Sequence, residues 1–141
     1  MSSLSFPDVN VWLALILGHH THRASASAWW NQAVGVIAFS RMTQISVLRL
    51  LTTSATMGGK PLTLTKAWST YDKLYSDSRV AFLPEPPDLE LEFRKRSTSE
   101  AASPKVWADA FLVAMALGHQ GQIVSFDRAL KTRGADCLIL E

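Results

Sequence analysis

An α/β fold with a central, mainly parallel sheet flanked by helices is what the sequence predicts. Short β-leaning apolar runs alternate with helix-period segments along the whole chain, as a parallel sheet with crossover helices requires. At 141 residues the chain has the length of one domain, and its 48% hydrophobic content can fill a real core. No internal repeat or long linker divides it, so residues 1–141 are read as a single domain.

The elements follow in order. "LSF" reads as the first strand, and the apolar run of "PDVNVWLALILG" as a buried helix directly after it. A leader peptide is not expected there, because no Lys or Arg precedes Arg23 and the run ends in "GHHTH". The run is also short of the about 20 apolar residues that a membrane crossing needs. "HRASASAWWNQA" reads as a helix, "GVIAFS" as a strand, and "TQISVLRLLTT" and "LTLTKAWSTYDKLY" as two further helices. "RVAFLP" is a strand, and "FRKR" stands at the end of another helix. "PKVWADAFLVAMALGHQ" reads as a helix capped by Ser103, with Pro104 in its first turn and Gly118 or Gly121 closing it. "QIVSF" and "DCLILE" complete the sheet.

Bulk properties exclude several classes. A net charge of +2 does not argue for nucleic acid by itself, although it allows a local basic surface. The single cysteine, Cys137, leaves no internal disulfide framework and no cysteine-based zinc site; in "ADCLIL" it reads as a core thiol. Nothing calls for an oxidising compartment, so a cytoplasmic location is expected.

The chemistry is carried by acids at strand ends. In parallel sheets the carboxyl ends of the strands form the ligand crevice. Asp8 closes the first strand and Asp127 closes "QIVSF", which puts both on one rim. Asp109 lies in the first two turns of the helix leading into that strand, at the end pointing back to the same rim. "VWADAFLVAMA" surrounds it with Trp107, Ala108, Phe111, Leu112 and Met115, so it is expected to be poorly solvated. Each acid also has a plain structural reading: Asp8 and Asp127 as helix caps, Asp109 as a salt-bridged or solvated side chain. Clustered carboxylates raise one another's pKa, and a hard divalent cation removes that penalty. Mg²⁺ at such a cluster would support phosphodiester hydrolysis.

At this point "PDVNVWLAL", "TQISVLRLLTT", "SPKVWADAFLVAMAL" and "IVSFDRAL", taken in order, resemble the PIN-domain family, more narrowly its VapC-type toxins. The resemblance covers nearly the full length. It implies a PIN-like three-layer α/β/α fold and a Mg²⁺- or Mn²⁺-dependent endoribonuclease with Asp8, Asp109 and Asp127 at its metal centre. It further implies an RNA substrate, a cognate antitoxin protein that silences the enzyme, and a homodimer; no membrane association is expected, since the apolar run is too short to cross a bilayer. The family pattern usually has Glu where this chain has Gln44, followed by an Arg, here Arg49. Gln44 can offer a neutral oxygen but no charge, so it is expected to take a hydrogen-bonding part in catalysis or to weaken the metal site. The alternative is a catalytically weakened PIN-like binding module. Glu85, after "RVAFLP", is a candidate replacement carboxylate, with a solvated acid in "PEPP" as the plainer reading.

Asn10 and Ser125 are candidate supports: Asn10 could brace Asp8 or stand in water, and Ser125 matches the family's Ser or Thr two residues before the last acid. Arg49, Lys105 and Arg128 are the cations singled out for RNA, with Lys131 and Arg133 nearby and "FRKR" as a basic helix end. His19, His20 and His22 lack an accompanying acid and read as a loop rather than a zinc site. Trp29 and Trp30 read as packing or antitoxin contact rather than a base-stacking pair. A phosphotransfer enzyme with Asp8 as nucleophile is less well served, since Asn10 occupies the place where a second acid is wanted.

Overall fold

The computed structural model describes residues 3–141. Among these, five strands form one sheet: β1 (Leu4–Pro7), β2 (Val36–Phe39), β3 (Val80–Phe82), β4 (Gln122–Ser125) and β5 (Cys137–Ile139). Their spatial order is β3-β2-β1-β4-β5, and every pairing is parallel. The chain adds β2 and β3 on one side of β1, then crosses to β4 and β5 on the other. That reversal leaves a crevice beyond the carboxyl ends of β1 and β4, where open α/β sheets bind ligands.

The helices are α1 (Val9–Ile16), α2 (Arg23–Gln32), α3 (Arg41–Leu51), α4 (Leu64–Leu74), α5 (Leu89–Arg96) and α6 (Val106–His119). A short 3-10 helix, Arg128–Thr132, joins β4 to β5. Alternating strand side chains divide the core between the two faces of the sheet. Ile37 and Phe39 of β2 join Trp12, Trp29, Val47 and Tyr71 on one face. Ala38 joins Phe6, Met115, Ile123 and Leu130 on the other, giving a three-layer arrangement. Trp12 is fully buried and stacks on Phe39 with ring centroids 4.0 Å apart, which holds α1 against β2.

No helix among the described residues is long and apolar enough to cross a membrane. Cys137 is a buried free thiol, and burial pushes it up to about 11. The three loop histidines lie between α1 and α2, where the His22 ring stacks on Phe126 at 4.4 Å.

The ends of α6 differ from the sequence expectation. The helix begins at Val106, and Ser103 does not cap it; its carbonyl accepts the Val106 N–H in a turn that contains Pro104 and Lys105. At the other end neither glycine takes the left-handed position. Gln120 does, at φ 58°, and the Gly121 N–H then donates to the Ala116 carbonyl at 2.8 Å. Gly121 serves close packing instead, because a β-carbon there would stand 2.9 Å from the Phe6 ring.

Candidate metal centre

Asp8 follows β1 at once, and its backbone N–H donates to the Val124 carbonyl at 2.9 Å, so the β1–β4 pairing fixes its position. Its Oδ1 accepts from the backbone N–H groups of Asn10 (2.9 Å) and Val11 (3.4 Å), capping α1. Its Oδ2 accepts the hydroxyl proton of fully buried Ser125. The same Ser125 oxygen accepts the Asp127 N–H at 2.9 Å. One buried hydroxyl therefore ties the acid at the end of β1 to the backbone of the acid beyond β4. Capping and ligand presentation are compatible, because Oδ2 keeps a lone pair after the Ser125 bond while Oδ1 is taken up by its two N–H donors.

Asp109 comes from the first turn of α6, and Asp127 caps the 3-10 helix through the Ala129 N–H at 2.9 Å. Asp8, Asp109 and Asp127 line a single cleft of about 150 Å³ together with Asn10, Thr43 and Phe111. Burial is the main cause pushing the Asp8 carboxyl above its ordinary range; the bonds from Ser125, Asn10 and Val11 oppose it, and the Asp109 charge adds to it. Burial also raises Asp109, with the Arg133 guanidinium opposing and Asp127 adding. Two desolvated carboxyls and a third at the same cleft are a donor set suited to a hard cation. Among the described residues no three His, Cys, Asp or Glu side chains are grouped so as to hold a metal ion. The three acids share a cleft without closing on one point, and a hard divalent cation bound there would keep positions for water and phosphate.

Other sequence expectations fare differently. Asp109 is only partly buried, because Trp107 and Ala108 turn outward to solvent rather than covering it. Gln44 is buried at 7% exposure but is not among the cleft-lining residues; its Oε1 accepts from the Arg41 guanidinium at 2.7 Å. Glu85 is exposed and lines a separate hollow with Arg41 and Phe82, away from the three acids. Arg49 lies on the α3–α4 face beside Trp68, and Arg128 pairs with Glu141, so neither is directed into the acid cleft. Lys105 is exposed immediately before α6. Asn10 lines the cleft with its side chain on the exposed side. Trp29 is buried in the core, and Trp30 carries Arg79 over its ring at 4.7 Å.

The sequence reading missed Thr43 and Ser46, which line the acid cleft from α3. The signal was present, because β2 ends at Phe39 and the first turn of the following helix must share the rim. Ser40 caps α3, its hydroxyl accepting the Thr43 N–H at 3.2 Å and lying 3.1 Å from the Thr43 hydroxyl.

The PIN domain family model matches residues 5–135. The chain is 40% identical over 133 residues to ribonuclease VapC41 of Mycobacterium tuberculosis, a match covering 90% of this chain and 91% of that protein. It is 26% identical to ribonuclease VapC29 of the same species, over 94% of this chain and 92% of that one. Among solved structures, Mycobacterium tuberculosis VapC20, described as a sarcin–ricin loop cleaving toxin, superposes with a TM-score of 0.68 at 17% identity. That similarity covers 93% of this chain and 95% of VapC20. VapBC2 from Rickettsia felis, solved bound to promoter DNA, superposes with a TM-score of 0.67 at 10% identity, covering 98% and 99% of the two chains. The fold, the acids gathered beyond β1 and β4, and these similarities agree, and the chain belongs to the PIN-domain family, among its VapC-type ribonucleases.

Proposed function

We propose that the chain is a metal-dependent endoribonuclease acting as the toxin of a toxin–antitoxin pair, with Asp8, Asp109 and Asp127 holding the metal. The observation that carries this reading is the convergence of three carboxylates, from three separate elements, on one cleft. A bound divalent cation, Mg²⁺ or Mn²⁺, supplies charge neutralisation for the phosphodiester and lowers the pKa of water at the site. The residues of the chain do the rest. Ser125 and the N–H groups of Asn10 and Val11 orient Asp8 and favour its ionised form against burial. Asp109 and Asp127 face the same space from α6 and from the end of β4. Arg133 brings positive charge toward Asp109, where an incoming phosphate is drawn.

Gln44 acts in this reading through Arg41, not as a ligand. Its oxygen is engaged by Arg41 and is not turned into the acid cleft. RNA as substrate, the cognate antitoxin as partner, the homodimer and the cytoplasmic location belong to the same proposal. Solution of the VapBC2 neighbour as a promoter-bound assembly supports the antitoxin part.

The test is cleavage of RNA by the purified chain with Mg²⁺ or Mn²⁺ and with chelator. Metal-dependent cleavage that is lost in both Asp8→Ala and Asp109→Ala is the expected result. Cleavage that survives both substitutions ends the proposal.

A further inference from the structure

Trp107 is 54% exposed on the first turn of α6, an expensive place for a large aromatic ring. It forms one wall of an open hollow of about 480 Å³ between α5 and α6, whose other walls include Ser97, Ser99, Ser103 and Pro104. Residues 108 and 109, next in the chain, line the acid cleft instead. The first turn of α6 is thus the partition between the two spaces. Trp107 and Asp109 are two residues apart on that turn, so the two spaces adjoin across it.

The ring is held in place. Phe93 of α5 meets Trp107 edge-on with centroids 6.3 Å apart, and meets Phe111 in the same manner at 5.9 Å. Phe111 itself lines the acid cleft, so one aromatic row runs from the carboxylates to the hollow. The polar lining is partly engaged: Ser97 donates to the Phe93 carbonyl, and Ser99 accepts the Ala101 N–H. The Ser103 hydroxyl has no protein partner among the described residues, and it offers both a donor and an acceptor. Lys95 and Lys105 flank the hollow in sequence as exposed cations without ion pairs among the described residues, against the single exposed acid Glu100. An exposed aromatic face beside a free hydroxyl, with unpaired cations close in sequence, suits an unpaired nucleotide. They do not suit an apolar helix, which needs a continuous greasy groove.

We propose that the hollow between α5 and α6 is a nucleobase subsite, in which Trp107 stacks on a base of single-stranded RNA near the scissile phosphate. The inference rests on the ribonuclease reading and adds to it a determinant of substrate binding outside the acid cleft.

Binding is measured by fluorescence anisotropy on the full-length chain in chelator, where metal-dependent turnover is absent. The probes are a labelled mixed-sequence RNA of about 12 nucleotides, within the site sizes such proteins cover, and an abasic ribose–phosphate oligomer of the same length. The wild type binds the RNA more tightly than the abasic oligomer. Trp107→Ala and Trp107→Leu lose roughly tenfold on the RNA, the scale of one base–aromatic stack, and lose nothing on the abasic oligomer. Trp107→Phe keeps most of the preference, which separates stacking from general packing. Equal RNA binding by wild type and both Trp107→Ala and Trp107→Leu overturns the subsite and leaves the ribonuclease standing. So does a change in sedimentation with base preference intact, which assigns the face to a second copy of the chain. A wild type that binds no RNA and cleaves none with Mn²⁺ overturns both.

Discussion

Replacing Ser125 by Ala removes the hydroxyl that joins Asp8 to Asp127. The hydroxyl is fully buried, donates to Asp8 Oδ2 and accepts the Asp127 N–H at 2.9 Å. A hydrogen bond to a charged group contributes about 1.5–3 kcal/mol, and an orphaned N–H adds to the loss only where water cannot reach it. Asp127 is exposed, so the first contribution dominates and a loss of about 2–3 kcal/mol is expected. For a domain of this size that is a fall in Tm of roughly 10 °C.

The pH dependence carries a sign. The Ser125 bond lowers the Asp8 pKa against a larger raising effect of burial, so its removal lets burial push the carboxyl further up. An acid whose folded pKa is raised contributes stability that is present below its unfolded value, here 3.8, and lost as pH rises through the folded value. Ser125→Ala should therefore lose more stability at neutral pH than below the ordinary carboxyl range. The acid limb of its metal-dependent cleavage should also move to higher pH, because Asp8 ionises later. Ser125→Thr keeps the hydroxyl and should hold the limb in place despite some crowding. Calorimetry across pH and a pH–rate profile read both effects. An unchanged limb in Ser125→Ala, together with a Tm within about 2 °C of wild type, would refute the coupling.

Three further outcomes follow from the same geometry. Asp109→Asn removes a carboxyl whose folded pKa is raised chiefly by burial, so the chelated protein should melt no lower than wild type above the carboxyl range, and the metal-induced rise in Tm should vanish; a large drop in apo Tm would instead identify a structural acid. Gln44→Glu should pair with Arg41, whose guanidinium already reaches the Gln44 oxygen at 2.7 Å, so metal affinity read by calorimetric titration should change by less than about threefold; a gain of tenfold or more, about 1.4 kcal/mol, would place residue 44 among the ligands. Arg79→Lys should destabilise by about 1–2 kcal/mol in denaturant melts, since Arg79 bonds Asp77 and the carbonyls of Trp30 and Ala33 while lying over the Trp30 ring, a fork that an ammonium cannot reproduce; an unchanged midpoint would show these bonds to be idle.

Period and punctuation alone determined much of this protein. The alternation of β-leaning runs with helical patterns set the α/β class and the parallel sheet, and the positions of Asp8 and Asp127 after their strands set the rim on which they lie. These are local facts, since a strand of four residues ends where its apolar alternation ends. Tertiary structure decided the rest. Which oxygen bonds to which depends on residues far apart in the chain, as with Ser125 and Asp8, brought together by the β1–β4 pairing. The exposure of Trp107 and Ala108, the start of α6 at Val106, and the turn of Gln44 toward Arg41 depend on the angle at which a helix meets the sheet, which no spacing encodes. Charged side chains are the extreme case. Arg128 and Arg133 both follow the same acid in sequence, yet Arg128 pairs with Glu141 while the charge of Arg133 acts on Asp109, because the folded surface decides which carboxylate a long cation comes near.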